Sequence, residues 1–144
     1  MPLSPPPLDD NGNVLPHDHT DIEPGDGVLR GISEHFLVTA TNGQRRISSM
    51  AFQSSSGNTG MSVNLQRLIE EADIDQQDYM KATSWVGAVR FTAGALRNEN
   101  LQVGFHPLEN NPYHGEVWGD FTKSKQRKLQ KLAVWFVEIP DVTI

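Results

Sequence analysis

The sequence predicts an α+β domain: a mixed or mostly antiparallel sheet, two to three helices on one side of it, and a long C-terminal helix packed on the sheet. Three observations carry this. Strand-like and helix-like stretches alternate from Val28 onward, and several strands follow one another directly, which favours antiparallel pairing. The run from Trp85 to Phe91 is apolar on both faces apart from Arg90, as in a buried central strand. Residues 122–136 carry the clearest helical period, with Leu129, Leu132, Ala133 and Phe136 at i, i+3, i+4 and i+7.

Taken in order, residues 1–27 read as a flexible acidic tail. They hold six of the nine prolines and six of the 18 acids, with no Lys or Arg. So few apolar groups do not offset the entropy of ordering the segment. Residues 28–144 then form one domain, entered through Gly25-Asp26-Gly27. A first strand covers 28–32. The turn dipeptide Asn42-Gly43 suggests a hairpin over 36–52, with a strand from Arg45 to Ser54. Ser54 to Gly60 is a loop by composition. A short strand at 61–65 leads into a helix over 64–73, where Leu65, Leu68, Ile69 and Ala72 recur at helical spacing. Thr92 can cap a short helix over 93–97. Strands follow at 101–105 and 115–118, separated by His106-Pro107 and a polar loop.

Composition narrows the function classes. There are no cysteines, which excludes disulfides, thiolate catalysis and cysteine zinc sites. No apolar run has the roughly 18 residues that a membrane span needs. The opening Met1-Pro2-Leu3-Ser4-Pro5-Pro6-Pro7 lacks the pattern of a secretory signal, so the expected compartment is cytoplasmic. The net charge of −6 resides in the tail, and the body is balanced. A basic patch on the body is therefore compatible with the acidic total.

That patch is expected on the last helix. Lys123, Arg127 and Lys131 fall opposite its apolar stripe. Lys123 and Lys125 sit in the first turn, where the helix dipole disfavours cations by about 0.3–1 kcal/mol each. An anion docked there, held by free N–H groups, the Ser124 hydroxyl and the ammonium groups, would reverse that penalty. The expected ligand site is thus Asn111, Lys123, Ser124, Lys125, Arg127 and Lys131, taking a phosphate-bearing ligand such as a nucleotide or nucleic acid. No Walker motif is present. His114 is the strongest single candidate for acid–base chemistry. Two residues on, Glu116 shares its face of a strand and can tune the imidazole. His106, His114 and Asp120, and in the tail His17-Asp18-His19 with Asp21, have metal-binding side chains but match no standard spacing, so no metal is expected.

Two resemblances add to this. The body resembles a family of small bacterial proteins of unknown function. The likeness spans about residues 28–136 and rests on Val28-Leu29-Arg30, Arg45 to Ser49 with Ala51-Phe52, Met61 to Leu65, Gly87 to Gly94, Asn111-Pro112 with His114, and Lys123-Ser124 with Arg127-Lys128-Leu129. It implies no activity. Separately, Arg30 on an early strand, the serines after Phe52-Gln53 and the late Glu116 look like the Arg–Ser–Glu arrangement of ADP-ribosyltransferases. Ser54-Ser55-Ser56 stands where that family has Ser-Thr-Ser. The resemblance implies that Arg30 and Ser54 hold a nicotinamide dinucleotide and that Glu116 drives transfer. The sequence thus leads first to a domain binding a phosphate-bearing ligand or a protein partner through region 111–131. Its second expectation is an ADP-ribosyltransferase-like enzyme with Arg30, Ser54, His114 and Glu116 as catalytic residues. Its third is a purely protein-interacting subunit with the acidic tail as its arm.

Overall fold

The computed structural model describes residues 2–55, 60–81 and 84–144. The centre of the expected serine-rich loop, 56–59, lies outside the described residues. Among the described residues the strands are β1 (Gly27–Ser33), β2 (Leu37–Thr39), β3 (Arg45–Ile47), β4 (Met61–Leu65), β5 (Trp85–Thr92), β6 (Gln102–Phe105), β7 (His114–Trp118), β8 (Val134–Val137) and β9 (Val142–Thr143). The helices are α1 (Gln66–Glu71), α2 (Gln76–Met80), α3 (Ala93–Arg97) and α4 (Lys123–Leu132), with short 3-10 turns at Glu34–Phe36 and Ser49–Ala51. This is an α+β fold. Its main sheet has six strands in the order β6-β7-β4-β1-β5-β8, and every pairing in it is antiparallel. A smaller sheet, β2-β3-β9, includes one parallel pair.

Local chemistry accounts for the elements. Gly43 takes φ +86 in the β2–β3 hairpin, and Asn42 Oδ1 accepts from Gln44 N (2.9 Å), so the Asn-Gly turn forms where the sequence predicts it. Thr92 caps α3 by accepting from Ala95 N (3.1 Å). β1 is buried along nearly its whole length because both faces of the sheet are covered. One face packs Val28, Ile32, Val63, Val89 and Phe91 against Phe52, Ile47 and Leu129 of α4. The other packs Leu29, Ala88 and Val137 against Ile69 of α1 and Met80 of α2. Helices therefore cover both faces, not one as expected.

Other elements also differ from expectation: the strand expected from Arg45 to Ser54 ends at Ile47 and gives way to the 3-10 turn at Ser49–Ala51. α4 stops at Leu132, and Ala133 is already extended. Val134–Val137 then adds a strand to β5, so Phe136 packs beside Val137 on the α1–α2 face. Leu132 is left 40% exposed. The N-terminal segment is also seated on the body. It lies along the outer edge of β6: His19 N donates to Val103 O (2.9 Å), Val103 N to Asp18 Oδ1 (2.9 Å), and Phe105 N to His17 Nε2 (3.1 Å). Ile22 is buried in the main core. An edge strand offers unpaired N–H and C=O groups, and this segment satisfies them. That is a source of binding energy which a count of apolar residues omits.

Candidate functional site

The central ladder is incomplete at one place. β1 and β4 pair only at Val28–Leu65 and Leu29–Asn64. β1 stays paired with β5 to Ser33, and β4 stays paired with β7 to Met61. From Arg30 and Val63 onward, β1 and β4 part. Side chains replace the missing ladder bonds. Ser62 N donates to Ser55 Oγ (2.9 Å), and Ser62 O accepts from Arg30 Nη1 (2.7 Å). Arg30 Nε donates to Ala51 O (3.0 Å), and the guanidinium lies 5.6 Å from the Phe36 ring centroid.

Arg30 is buried, only 7% exposed, and makes no ion pair among the described residues. Desolvation lowers its pKa to about 10, so it stays charged at neutral pH with only neutral acceptors around it. Beside it opens a narrow cavity of about 70 Å³ lined by Gly31, Ser62, Asn64, Trp85, Asn111 and His114. This continues into a wider cavity of about 450 Å³, walled by Tyr79, Trp85, Leu108, Asn110 and Asn111, with Ser62 and His114 shared. Gly31 makes room for the wall, since a Cβ there would lie 2.5 Å from three atoms of the Trp85 indole.

The polar floor follows from strand register. Ser62 stands opposite Glu116, and Asn64 opposite His114, so four polar side chains share one face. Glu116 is buried, and its Oε2 accepts from Gly60 N (3.0 Å). Asn111 Nδ2 donates to Asn64 Oδ1 (2.7 Å), and Tyr79 Oη donates to Asn111 Oδ1 (2.6 Å). His114 Nδ1 lies 2.7 Å from His106 O and 3.2 Å from His106 Nδ1. A carbonyl only accepts, so His114 Nδ1 carries the proton. Burial lowers the His114 pKa below its usual 6.5, so the ring is neutral at pH 7.

The nitrogens of His106 and His114 and the Glu116 carboxylate come within 4.8 Å of one another. With His114 Nδ1 donating to the His106 carbonyl, Nε2 is the His114 nitrogen that keeps a lone pair in this cluster. Asp120 is exposed and not part of it. In the N-terminal segment, His17 Nδ1 donates to Leu15 O (2.8 Å), and His19 Nε2 donates to Ser4 O (2.8 Å). Their other ring nitrogens accept backbone N–H groups. Both rings are thus occupied in docking the segment.

Of the expected residues, Arg30, His114 and Asn111 line the cavity at the split, while Glu116 is buried on β7 opposite Ser62 and is not part of the lining. Ser54 lies half-buried in the loop before it, and Ser62 holds the position in the cavity wall. The basic residues go elsewhere. Lys123, Ser124, Arg127 and Lys131 are exposed on α4, while Asn111 lines the cleft, so the six residues do not form one site. Of the two first-turn cations, Lys125 has a structural partner, since its Nζ donates to Glu99 O; one turn on, Lys128 lies 3.8 Å from the Glu99 carboxylate. Thr122 Oγ1 caps the helix by accepting from Lys125 N (3.1 Å). Ser62, Asn64, Tyr79 and Trp85 join the site without a motif that marks them. Ser62 and Asn64 had a usable signal, because they alternate with Val63 and Leu65 and so put two polar groups on one face of a buried strand.

Comparison with known proteins finds no family model, curated protein or solved structure that matches this chain.

Proposed function

We propose that the protein is an ADP-ribosyltransferase-like enzyme that takes a nicotinamide dinucleotide as substrate in the split between β1 and β4. The observation that carries this reading is Arg30, a buried guanidinium without a counter-ion among the described residues, set beside Ser62 and next to the strand of His114 and Glu116. A buried charge left unpaired is destabilising by several kcal/mol. A diphosphate supplies the missing anion and accepts from the guanidinium N–H groups not given to Ala51 O and Ser62 O. Trp85, lying over Gly31, offers a flat face on which a nucleobase or nicotinamide ring can stack. Cleavage of the nicotinamide–ribose bond builds positive charge on the sugar, which a nearby fixed carboxylate stabilises. That is the part of Glu116, with Ser62 in the role expected of Ser54. A phosphate-bearing ligand thus remains the expectation, placed at Arg30 instead of at α4.

The test is incubation of the full chain with a nicotinamide dinucleotide, with nicotinamide release followed by mass spectrometry and binding by calorimetry. Glu116→Gln should keep binding and lose release by about 100-fold or more. Arg30→Lys keeps the charge but not the fork, and should weaken binding about tenfold. Neither binding nor release by the wild type at millimolar dinucleotide would overturn the reading. A second reading, docking of an anionic partner on α4, is favoured only by the exposure of Lys123, Arg127 and Lys131. It predicts binding that weakens steeply with salt.

A further inference from the structure

We infer that the acceptor at this cleft is an uncharged hydroxyl nucleophile and that His114 Nε2 is the base that takes its proton. The inference rests on the transferase reading and names its acceptor class. With Nδ1–H donating to His106 O at 2.7 Å, the neutral imidazole keeps its lone pair on Nε2. No residue among those described hydrogen-bonds that nitrogen. The ring forms a wall of both cavities, so it stands at the junction of the Arg30 pocket and the wider space beyond. His106 Nδ1, 3.2 Å from His114 Nδ1, is placed to accept from the imidazolium as it forms.

The wider cavity selects against cationic acceptors. Its walls are Tyr79, Trp85, Leu108, Asn110 and Asn111, none of them acidic. Among the described residues, the lining itself offers a guanidinium or ammonium acceptor no carboxylate. The amides of Asn110 and Asn111 suit a neutral hydroxyl group. The step balances. The bond between ribose C1′ and the nicotinamide nitrogen breaks, and its electron pair leaves with nicotinamide, which becomes neutral. A bond forms between C1′ and the acceptor oxygen. The hydroxyl proton passes to His114 Nε2 and then to water. Nothing is oxidised or reduced.

The chemistry needs neutral His114, so the rate should fall as pH drops through a pKa below 6.5. The titratable groups near this ring are His106 at the end of β6, Glu116 on β7 itself, Tyr113 ahead of β7, Tyr79 on α2 and Arg30 on β1. Burial is the largest influence on the ring, ahead of His106 and Glu116.

The test uses the full chain and the dinucleotide with two competing small acceptors, methanol for a hydroxyl and agmatine for a guanidinium, and resolves products by mass spectrometry. The expected products are ADP-ribose from water and methyl ADP-ribose rising with methanol, without an agmatine adduct. An agmatine adduct exceeding the methanol adduct would overturn the inference while leaving the transferase reading intact. His114→Gln can still donate to His106 O. It should bind the dinucleotide within about threefold of wild type, release nicotinamide about 100-fold more slowly, and lose the acid limb of the kcat profile. An unchanged acid limb would remove His114 from the role. The acceptor competition uses wild-type protein and does not depend on the variant folding. If wild-type protein neither binds nor cleaves the dinucleotide, both readings fall together.

Discussion

Replacing Asp18 by Ala should destabilise the fold, although Asp18 lies in the segment that composition marks as a free arm. Its Oδ1 accepts from Val103 N at 2.9 Å and from Arg97 Nε at 2.9 Å. Val103 is fully buried, and once the carboxylate is gone its N–H loses the acceptor it has in the native fold. A hydrogen bond to a charged acceptor contributes about 1.5–3 kcal/mol. The ion pair adds little, about 0–1 kcal/mol, because its side chains are 22% and 44% exposed. Arg97 also keeps His19 O at 3.1 Å. The expected cost is therefore about 1.5–3 kcal/mol, or about 5–10 °C in Tm for a domain of this size. Asp18→Asn retains an acceptor and should cost under about 1 kcal/mol. Urea denaturation gives the free energies, and amide hydrogen exchange at Val103 reports the bond itself. If Asp18→Ala is neutral and Val103 exchanges at the wild-type rate, the segment is not docked on β6 and the reasoning fails.

Two further predictions concern packing. Leu129, fully buried on α4, should cost about 2–5 kcal/mol when changed to Ala, whereas Leu132, 40% exposed, should cost under about 1 kcal/mol. Equal effects in urea denaturation would mean that α4 is misphased. Gly31→Ala sets a methyl 2.5 Å from the Trp85 indole and should cost about 1–3 kcal/mol as the ring is displaced. It should also shift Trp fluorescence and weaken dinucleotide binding by calorimetry. An unshifted spectrum with full affinity would show that Trp85 is no part of the cleft wall.

What could be read from the sequence is what local chemistry decides. The Asn42-Gly43 turn, the Thr92 cap, the buried β5 and the shared face of His114 and Glu116 need only neighbours within a few residues. The misreadings are non-local. Val134-Trp135-Phe136-Val137 fits a helical stripe and a strand equally well over four residues. Pairing with β5 decides for the strand, and β-branched and aromatic residues suit it. Lys125 looks misplaced against the helix dipole until Glu99 O, 26 residues away, appears as its partner. Ser54 stands out in the sequence for its place after Phe52-Gln53. The cavity wall is instead set by the register of β4 on β7, which brings Ser62 opposite Glu116. His17, Asp18 and His19 looked like a solvated linker because their partners are the backbone groups of an edge strand.

The parting of β1 and β4 is a built opening, and the distinction bears on function. A frayed ladder would leave its N–H and C=O groups to water. Here the two backbone groups of Ser62 have named substitutes, Ser55 Oγ for the N–H and Arg30 Nη1 for the carbonyl. Arg30 thus serves the fold by bridging β4 and the Ser49–Ala51 turn, and a neutral donor of similar reach could do the same without the cost of a buried charge. Carbonyl oxygens accept from Nε and Nη1 but do not neutralise it, and burial lowers its pKa. The charge is therefore surplus to the structural task. It sits beside a cavity whose far wall carries a neutral imidazole and whose floor strand carries a carboxylate. An anionic group held at Arg30 would relieve the surplus and bring whatever is attached to it toward His114 and Glu116, so that the residue which holds the sheet open also orients the substrate.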